Sequence, residues 1–169
     1  MLLGSTLVSD IGGKRVAVRV TEVEAYKGSD DPASHAFGGR TRRNGSMFEQ
    51  PGTLYVYRSY GIHWCCNVAC GPEGVGWGVL FRGGSVIEGS GVAAQRRGRS
   101  DSLADGPGKL AQALGVGGAH DGTLLLDPAS VLRLESGGTP ELVMATPRIG
   151  ISKAADRPWR FIEAAPVSA

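Results

Sequence analysis

Valine alternating with less apolar residues is the first regularity along the chain: Val16, Val18 and Val20 are separated by Ala17, Arg19 and Thr21, after a Gly12-Gly13 turn signal. A period of two marks a strand with one buried face. Residues near 5 to 26 are therefore predicted to form a hairpin whose second strand is the longer. Continued without interruption, the period puts Glu22, Glu24 and Tyr26 on the valine face. A carboxylate there is either an edge group reaching solvent or a functional group in a cleft, because an unpaired buried charge is costly. Unbroken periodicity favours the cleft.

Residues 27 to 52 lack apolar periodicity and carry Gly28, Pro32, Gly38, Gly39, Gly45, Pro51 and Gly52. They read as a long loop, a class that in compact domains is usually functional or disordered. Thr53 to Tyr60 and Ile62 to Ala69 are β-rich runs on either side of Gly61, predicting a protruding hairpin with Tyr60 near its tip. Gly78 to Arg82 and Ser85 to Ile87 look like another strand pair. Val92 to Arg99 and Pro107 to Leu114 look helical, the second capped by Asp105 and stopped by Gly115. Three short apolar runs follow: Thr123 to Leu126, Val131 to Leu134 and Leu142 to Ala145. Many short strands with a few helices predict an α+β fold, a curved and largely antiparallel sheet, in one domain over residues 1–169.

Composition adds little to the fold and more to the partner. Glycine supplies 27 of 169 residues, more than twice the ordinary share, and favours turns and short strands over long helices. The net charge is only +2, yet Arg40, Arg42 and Arg43 are bunched, as are Arg96, Arg97 and Arg99. Guanidinium groups match phosphate oxygens, so bunched arginine suits a phosphate backbone as well as a solvated surface. Met1-Leu2-Leu3 is too short an apolar run for a signal peptide, and no stretch is long enough to span a membrane. A cytoplasmic protein is expected. Cys65, Cys66 and Cys70 do not form the even, spread pattern of a disulfide scaffold.

Several chemistries lose ground on spacing. His63 and Cys65 would share one strand face and Cys66 and Cys70 the other, so at most two could converge on a metal. Buried structural cysteines and no metal site are the expectation. Neither GxGxxG nor GxxxxGK[ST] is present, so no nucleotide cofactor is indicated, and no GxSxG elbow marks a serine nucleophile. Hydrolysis through a carboxylate is the economical remainder.

Read together, the fragments resemble a known family. They are Glu22-Val23-Glu24-Ala25-Tyr26, Ser34-His35-Ala36, Arg43-Asn44, Met47-Phe48, Pro51-Gly52-Thr53-Leu54-Tyr55-Val56-Tyr57, Tyr60-Gly61 and Asn67. Val79-Leu80-Phe81-Arg82, Gly106-Pro107-Gly108-Lys109-Leu110 with Ala113-Leu114, and Pro147-Arg148-Ile149-Gly150 complete the set. In order and spacing these resemble the bacterial form of the alkyladenine (3-methyladenine) DNA glycosylases, over almost the whole chain.

The resemblance implies an enzyme that flips alkylated or deaminated purines out of double-stranded DNA and hydrolyses the N-glycosidic bond, acting as a monomer. By it, Glu24 activates the attacking water and Arg82 helps to fix it. Tyr26, His35 and Tyr57 sandwich the base, and Asn67 lies against its minor-groove edge to disfavour guanine. Tyr60 fills the hole left in the duplex. Arg40, Arg43, Arg96 and Lys109 are expected to meet the DNA backbone. Lys27 alternates onto the face opposite Glu24, so a monofunctional enzyme leaving an intact abasic site is expected. Two departures stand out: a helical segment usually precedes the stretch matching Leu2-Leu3-Gly4, and Arg42 stands where proline is common.

Two readings from other classes share parts of this pattern. A module binding distorted duplex without chemistry would need the arginines and Tyr60 but not Glu24. A hydrolase of free nucleosides would need neither Tyr60 nor the Arg96 to Arg99 cluster, and its binding would be insensitive to salt.

Overall fold

The computed structural model describes residues 2–164, whose architecture is a curled antiparallel sheet with two helices. The strands are β1 (Thr6–Ser9), β2 (Val16–Lys27), β3 (Leu54–Ser59), β4 (His63–Ala69), β5 (Trp77–Glu88), β6 (Leu132–Glu135), β7 (Val143–Thr146) and β8 (Arg160–Glu163). Their order is β3-β4-β5-β2-β1-β6, with β8 paired to both β2 and β7. Strand β2 is the spine. Its first half pairs with β1, residues Glu22 to Glu24 pair with β8, and β5 runs along its other edge throughout.

The predicted continuous alternation of β2 is broken, and the break is what makes the site. Val20 faces Gly84, Glu22 faces Gly83 and Val23 faces Phe81, so Thr21 on β2 and Arg82 on β5 are both left over from the pairing. Each surplus residue advances the alternation by one. Val16, Val18 and Val20 lie in the core, and beyond the irregularity Val23 lies there in their stead. Glu22, Glu24 and Tyr26 thus leave the valine face for the opposite one. The cleft expected for Glu24 is present, but the reason given from periodicity is overturned by the double bulge.

The core gathers Val16, Val18, Val20 and Val23 with Leu54, Val56, Cys66, Val68 and Phe81, covered by Leu110, Ala111, Ala113 and Leu114. Those last four belong to α2 (Pro107–Leu114), and the fully buried Leu110 and Leu114 sit one turn apart on its inner face. Burial of each leucine stabilises the fold by about 1.5–3 kcal/mol. Gly115, at φ 77°, ends α2 in the left-handed conformation as expected. The expected Asp105 cap is absent: Gly106 occupies the cap position and Pro107 the first turn, while Asp105 pairs with Lys109 at 3.0 Å. The other helix, α1, spans Ser90–Arg97, starting earlier than its apolar pattern suggested.

Three further expectations are corrected. The strand pair around Gly83-Gly84 is a single strand, because the glycines accommodate the close approach of β2; a Cβ on Gly84 would lie 2.5 Å from the Arg19 carbonyl oxygen. Residues 123 to 126 form no strand, only a bridge between Thr53 and Leu124. Cys65 and Cys66 are buried on opposite faces, but Cys70 is exposed beyond the end of β4.

Candidate active site

One row of side chains crosses four strands on the face opposite the core. Tyr55 faces Asn67, Asn67 faces Leu80, and Leu80 faces Glu24, each directly across a ladder. Tyr57 and Cys65 form the adjoining pair. Since directly opposed side chains on a sheet are neighbours, the register alone assembles one wall from residues far apart in sequence. Curling of the sheet, together with the long loop and the segment at 149–151, closes a cavity of about 380 Å³ over that wall. Glu24, Tyr26, His35, Tyr57, Asn67 and Arg82 all line it.

Glu24 is wholly buried, yet its carboxylate is not stranded. The backbone N–H of Ile149 donates to Oε1 at 2.8 Å, and the Tyr26 hydroxyl donates to Oε2 at 2.8 Å. Arg82 Nε lies 3.5 Å from the same Oε1 and 2.7 Å from Glu22 Oε1. Glu22 also accepts from Arg160 Nε at 2.5 Å. The rival carboxylate is thus occupied by two guanidinium groups, while Glu24 faces the cavity. A buried carboxylate held by two hydrogen bonds with a guanidinium beside it is oriented as well as compensated.

The aromatic side of the cavity is equally ordered. Tyr55 and Tyr57 stack with ring centroids 5.6 Å apart, and the His35 ring meets Tyr57 edge-on at 4.5 Å. His35 Nδ1 lies 3.1 Å from the Tyr55 hydroxyl oxygen. Burial, with a smaller contribution from the charge of Arg43, lowers the His35 pKa below its ordinary 6.5. The imidazole is therefore neutral at neutral pH. Burial also raises Tyr55 to about 12 and Tyr26 and Tyr57 further, so these rings remain uncharged phenols.

His35 reaches the site from a loop, and Asn44 is the clasp of that loop. Its side-chain amide donates to the carbonyls of His35 and Gly39 and accepts from Thr41, holding the span from His35 to Asn44 together. Met47 and Phe48 then anchor the loop against Ala36 and Tyr55 in a second small core.

Tyr60 sits at the tip of the β3–β4 hairpin, 90% exposed. Tyr60 and Gly61 both have positive φ, 50° and 70°, and the Ile62 N–H donates to the Ser59 carbonyl. Positive φ at both central residues is the requirement of the tight turn that matches strand twist. Glycine meets it freely, whereas a tyrosine there is unusual. Ile62 beside it is also exposed, so the tip is apolar.

The basic residues divide. Arg43 borders the cavity, and Arg40 stands exposed on the same loop, 4.0 Å from Glu49. Lys109 is at the surface of α2 beside Asp105. Arg96 does not fit the expectation of a phosphate contact: its guanidinium donates to the carbonyls of Ile11, Lys14 and Ala113, joining α1 to α2 and the β1–β2 turn.

Residues without a predicted role also enter the site. Tyr55 shares the strand face of Tyr57, a spacing that could have identified it. The Ile149 amide could not be found that way, since a backbone N–H leaves no mark in side-chain identity. A buried Asp31–Arg148 pair behind the site was also missed, because its members lie 117 positions apart.

Comparison with known proteins gives a consistent result. The family model described as Methylpurine-DNA glycosylase (MPG) matches residues 1–166. A Mycobacterium tuberculosis H37Rv protein is 47% identical over 168 residues, covering 95% of this chain and 80% of its own length. A Rhodopseudomonas palustris protein is 50% identical, covering 95% and 77%, and one from Nocardia farcinica is 49% identical, covering 95% and 78%. All three carry the provisional name 3-methyladenine DNA glycosylase. Among the described residues, no helix is long and apolar enough to cross a membrane.

Proposed function

The chain belongs to the methylpurine-DNA glycosylase family, and from that premise we propose that it removes alkylated or deaminated purines from duplex DNA by hydrolysis directed by Glu24. The observation that carries the reading is the buried Glu24 carboxylate, held by Ile149, Tyr26 and Arg82 at the wall of an aromatic cavity. A damaged base inside a duplex is out of reach, so the nucleotide must rotate into a pocket before chemistry. Tyr60 is suited to occupy the vacated place, since an apolar wedge offsets part of the stacking lost.

In the cavity, Tyr26, His35 and Tyr57 present uncharged π faces. An alkylated purine carries positive charge and stacks more strongly on such faces than a normal base does. A neutral His35 matters here, because an imidazolium would repel a cationic base. Asn67 supplies discrimination: its amide nitrogen is buried without a hydrogen-bond partner among the described residues. That donor favours a purine edge offering an acceptor and opposes the exocyclic amino group of guanine.

Glu24 then takes a proton from the water that attacks C1′ on the face opposite the departing base. Arg82 steadies that water and the neighbouring phosphate, with Glu22 and Arg160 fixing the guanidinium. Lys27 pairs with Asp30 at 3.2 Å and does not line the cavity, which supports direct hydrolysis over a Schiff base. Borohydride should therefore trap no covalent DNA adduct. Arg40, Arg43 and Lys109 are the backbone contacts consistent with their exposure, and a monomer suffices for one flipped nucleotide.

The test is excision from a panel of duplexes, each carrying one lesion, with undamaged guanine as control. Release of alkylated or deaminated purines, with guanine retained and the strand intact, is expected. Tight binding to lesion duplexes with no release of any base would overturn the reading.

A further inference from the structure

The Asp31–Arg148 pair lies just behind the site and touches neither the cavity nor solvent, with both side chains 0% exposed. The contact is a two-pronged fork: Arg148 Nη1 donates to Asp31 Oδ2 at 2.5 Å and Nη2 to Oδ1 at 2.8 Å. The same Nη1 donates to the Ala25 carbonyl at 3.0 Å. The guanidinium plane lies 4.6 Å from the Tyr26 ring centroid and 5.2 Å from that of Trp159. Burial alone would raise the Asp31 pKa, but the bonds from Arg148, together with the Ala33 and Lys27 amides, bring it below the ordinary value. The pair is charged when folded.

A buried ion pair of this kind is a poor source of stability, since desolvating two charges can offset their attraction. Its position suggests another role. Residues 147 to 150 belong to no strand. Among the described residues, the hydrogen bonds of Arg148 and Ile149 run only to Ala25, Asp31, Ala154 and Glu24. Arg148 therefore grips the carbonyl that follows Glu24, packs the ring whose hydroxyl binds Glu24, and precedes the amide that binds Glu24.

We infer that Asp31 and Arg148 form a positioning pair, clamping the 147–150 segment to β2 so that the Ile149 N–H and the Tyr26 hydroxyl hold the Glu24 carboxylate in its reactive orientation. The inference rests on the reading of Glu24 as the group that activates water. Lysine could not replace Arg148, because an ammonium cannot hold both carboxylate oxygens and a carbonyl in one plane.

The test is the double variant Asp31→Leu with Arg148→Met, which removes both charges together and so avoids leaving one buried alone. The Ala33 and Lys27 amides lose their acceptor, so it should melt several degrees below the parent, while the folded variant should bind a lesion duplex with Kd within about threefold. Its single-turnover excision should fall by about tenfold to a hundredfold, the range expected when a reacting group is misplaced by about an ångström. Backbone amide exchange at Ile149 should change from protected to fast. Parental excision, or a still-protected Ile149 amide, in the folded double variant would overturn the inference. Should that variant not fold, Asp31→Asn keeps the test: it removes one charge and half the fork, and parental excision with a protected Ile149 amide would again refute the clamp. If the parent itself excises nothing while Ile149 protection still follows the pair, the reading of Glu24 fails and the clamp stands.

Discussion

Replacing Glu24 with glutamine removes the charge and the basicity while keeping the shape, and the surroundings dictate how the amide must sit. The Ile149 N–H can only donate, so the single amide oxygen must take the place of Oε1, 2.8 Å away. The amide nitrogen then faces the Tyr26 hydroxyl, which can turn and accept. Arg82 keeps its 2.7 Å contact with Glu22. Ile149 keeps its acceptor and the Tyr26 hydroxyl turns its hydrogen toward the cavity that it lines, so fold and DNA binding should survive. Alanine would be a poorer probe, since it strands two buried donors at about 1–3 kcal/mol each. Loss of a general base is worth about 10²–10⁴-fold, or roughly 3–5 kcal/mol at 1.36 kcal/mol per tenfold. Glu24→Gln should therefore keep lesion-duplex affinity by fluorescence anisotropy and lose single-turnover excision by that factor. A variant that binds normally and excises within threefold of the parent would refute the assignment.

Tyr60→Ala should lower excision from duplex by tenfold or more while sparing lesions in single strands, where no stack needs filling; equal losses on both substrates would contradict a wedge. Gly76→Ala places a methyl group 2.5 Å from Ala36 Cβ and 2.7 Å from Phe48 Cζ, overpacking the small core that anchors the His35 loop. Chemical unfolding should show a loss of about 1–3 kcal/mol. The Asp31 carboxyl has a folded pKa below its ordinary 3.8, so its ionised form contributes stability that is complete above 3.8 and lost as pH falls through the folded value. The gap in urea midpoint between the parent and Asp31→Asn should be constant from pH 7 to about 4 and narrow below that.

What could be read from the sequence followed physical locality. The β3–β4 hairpin and its tyrosine tip were legible because alternation and Gly61 are neighbours in the chain. So was α2, from its apolar spacing and terminal glycine. Resemblance supplied the roles, and the register shows how those side chains come to border one cavity. The misses have a common cause. Thr21 and Arg82 become surplus only once β2 and β5 are paired, so a period read along one strand could not show the bulge. Gly83-Gly84 resembles a turn until the Arg19 carbonyl is found 2.5 Å from where a Cβ would stand. Arg96 is one of a cluster by count, but three carbonyls on other elements claim it. Strand β8 is short and gains its identity from β2 and β7 on either side.

The double irregularity at Thr21 and Arg82 also behaves as a punctuation mark. Upstream of it, the even-numbered Val16, Val18 and Val20 of β2 belong to the core; downstream, the even-numbered residues turn to the opposite face, where Glu24 and Tyr26 line the cavity. Inserting one further residue beside Thr21, with the ladder on either side kept, would shift the reading frame of the strand by one. Valine would then be delivered to the chemistry and the carboxylate to the hydrocarbon. No substitution at a single position has that reach. The stretch between Val20 and Val23 should therefore tolerate exchanges of side chain far better than a change of length.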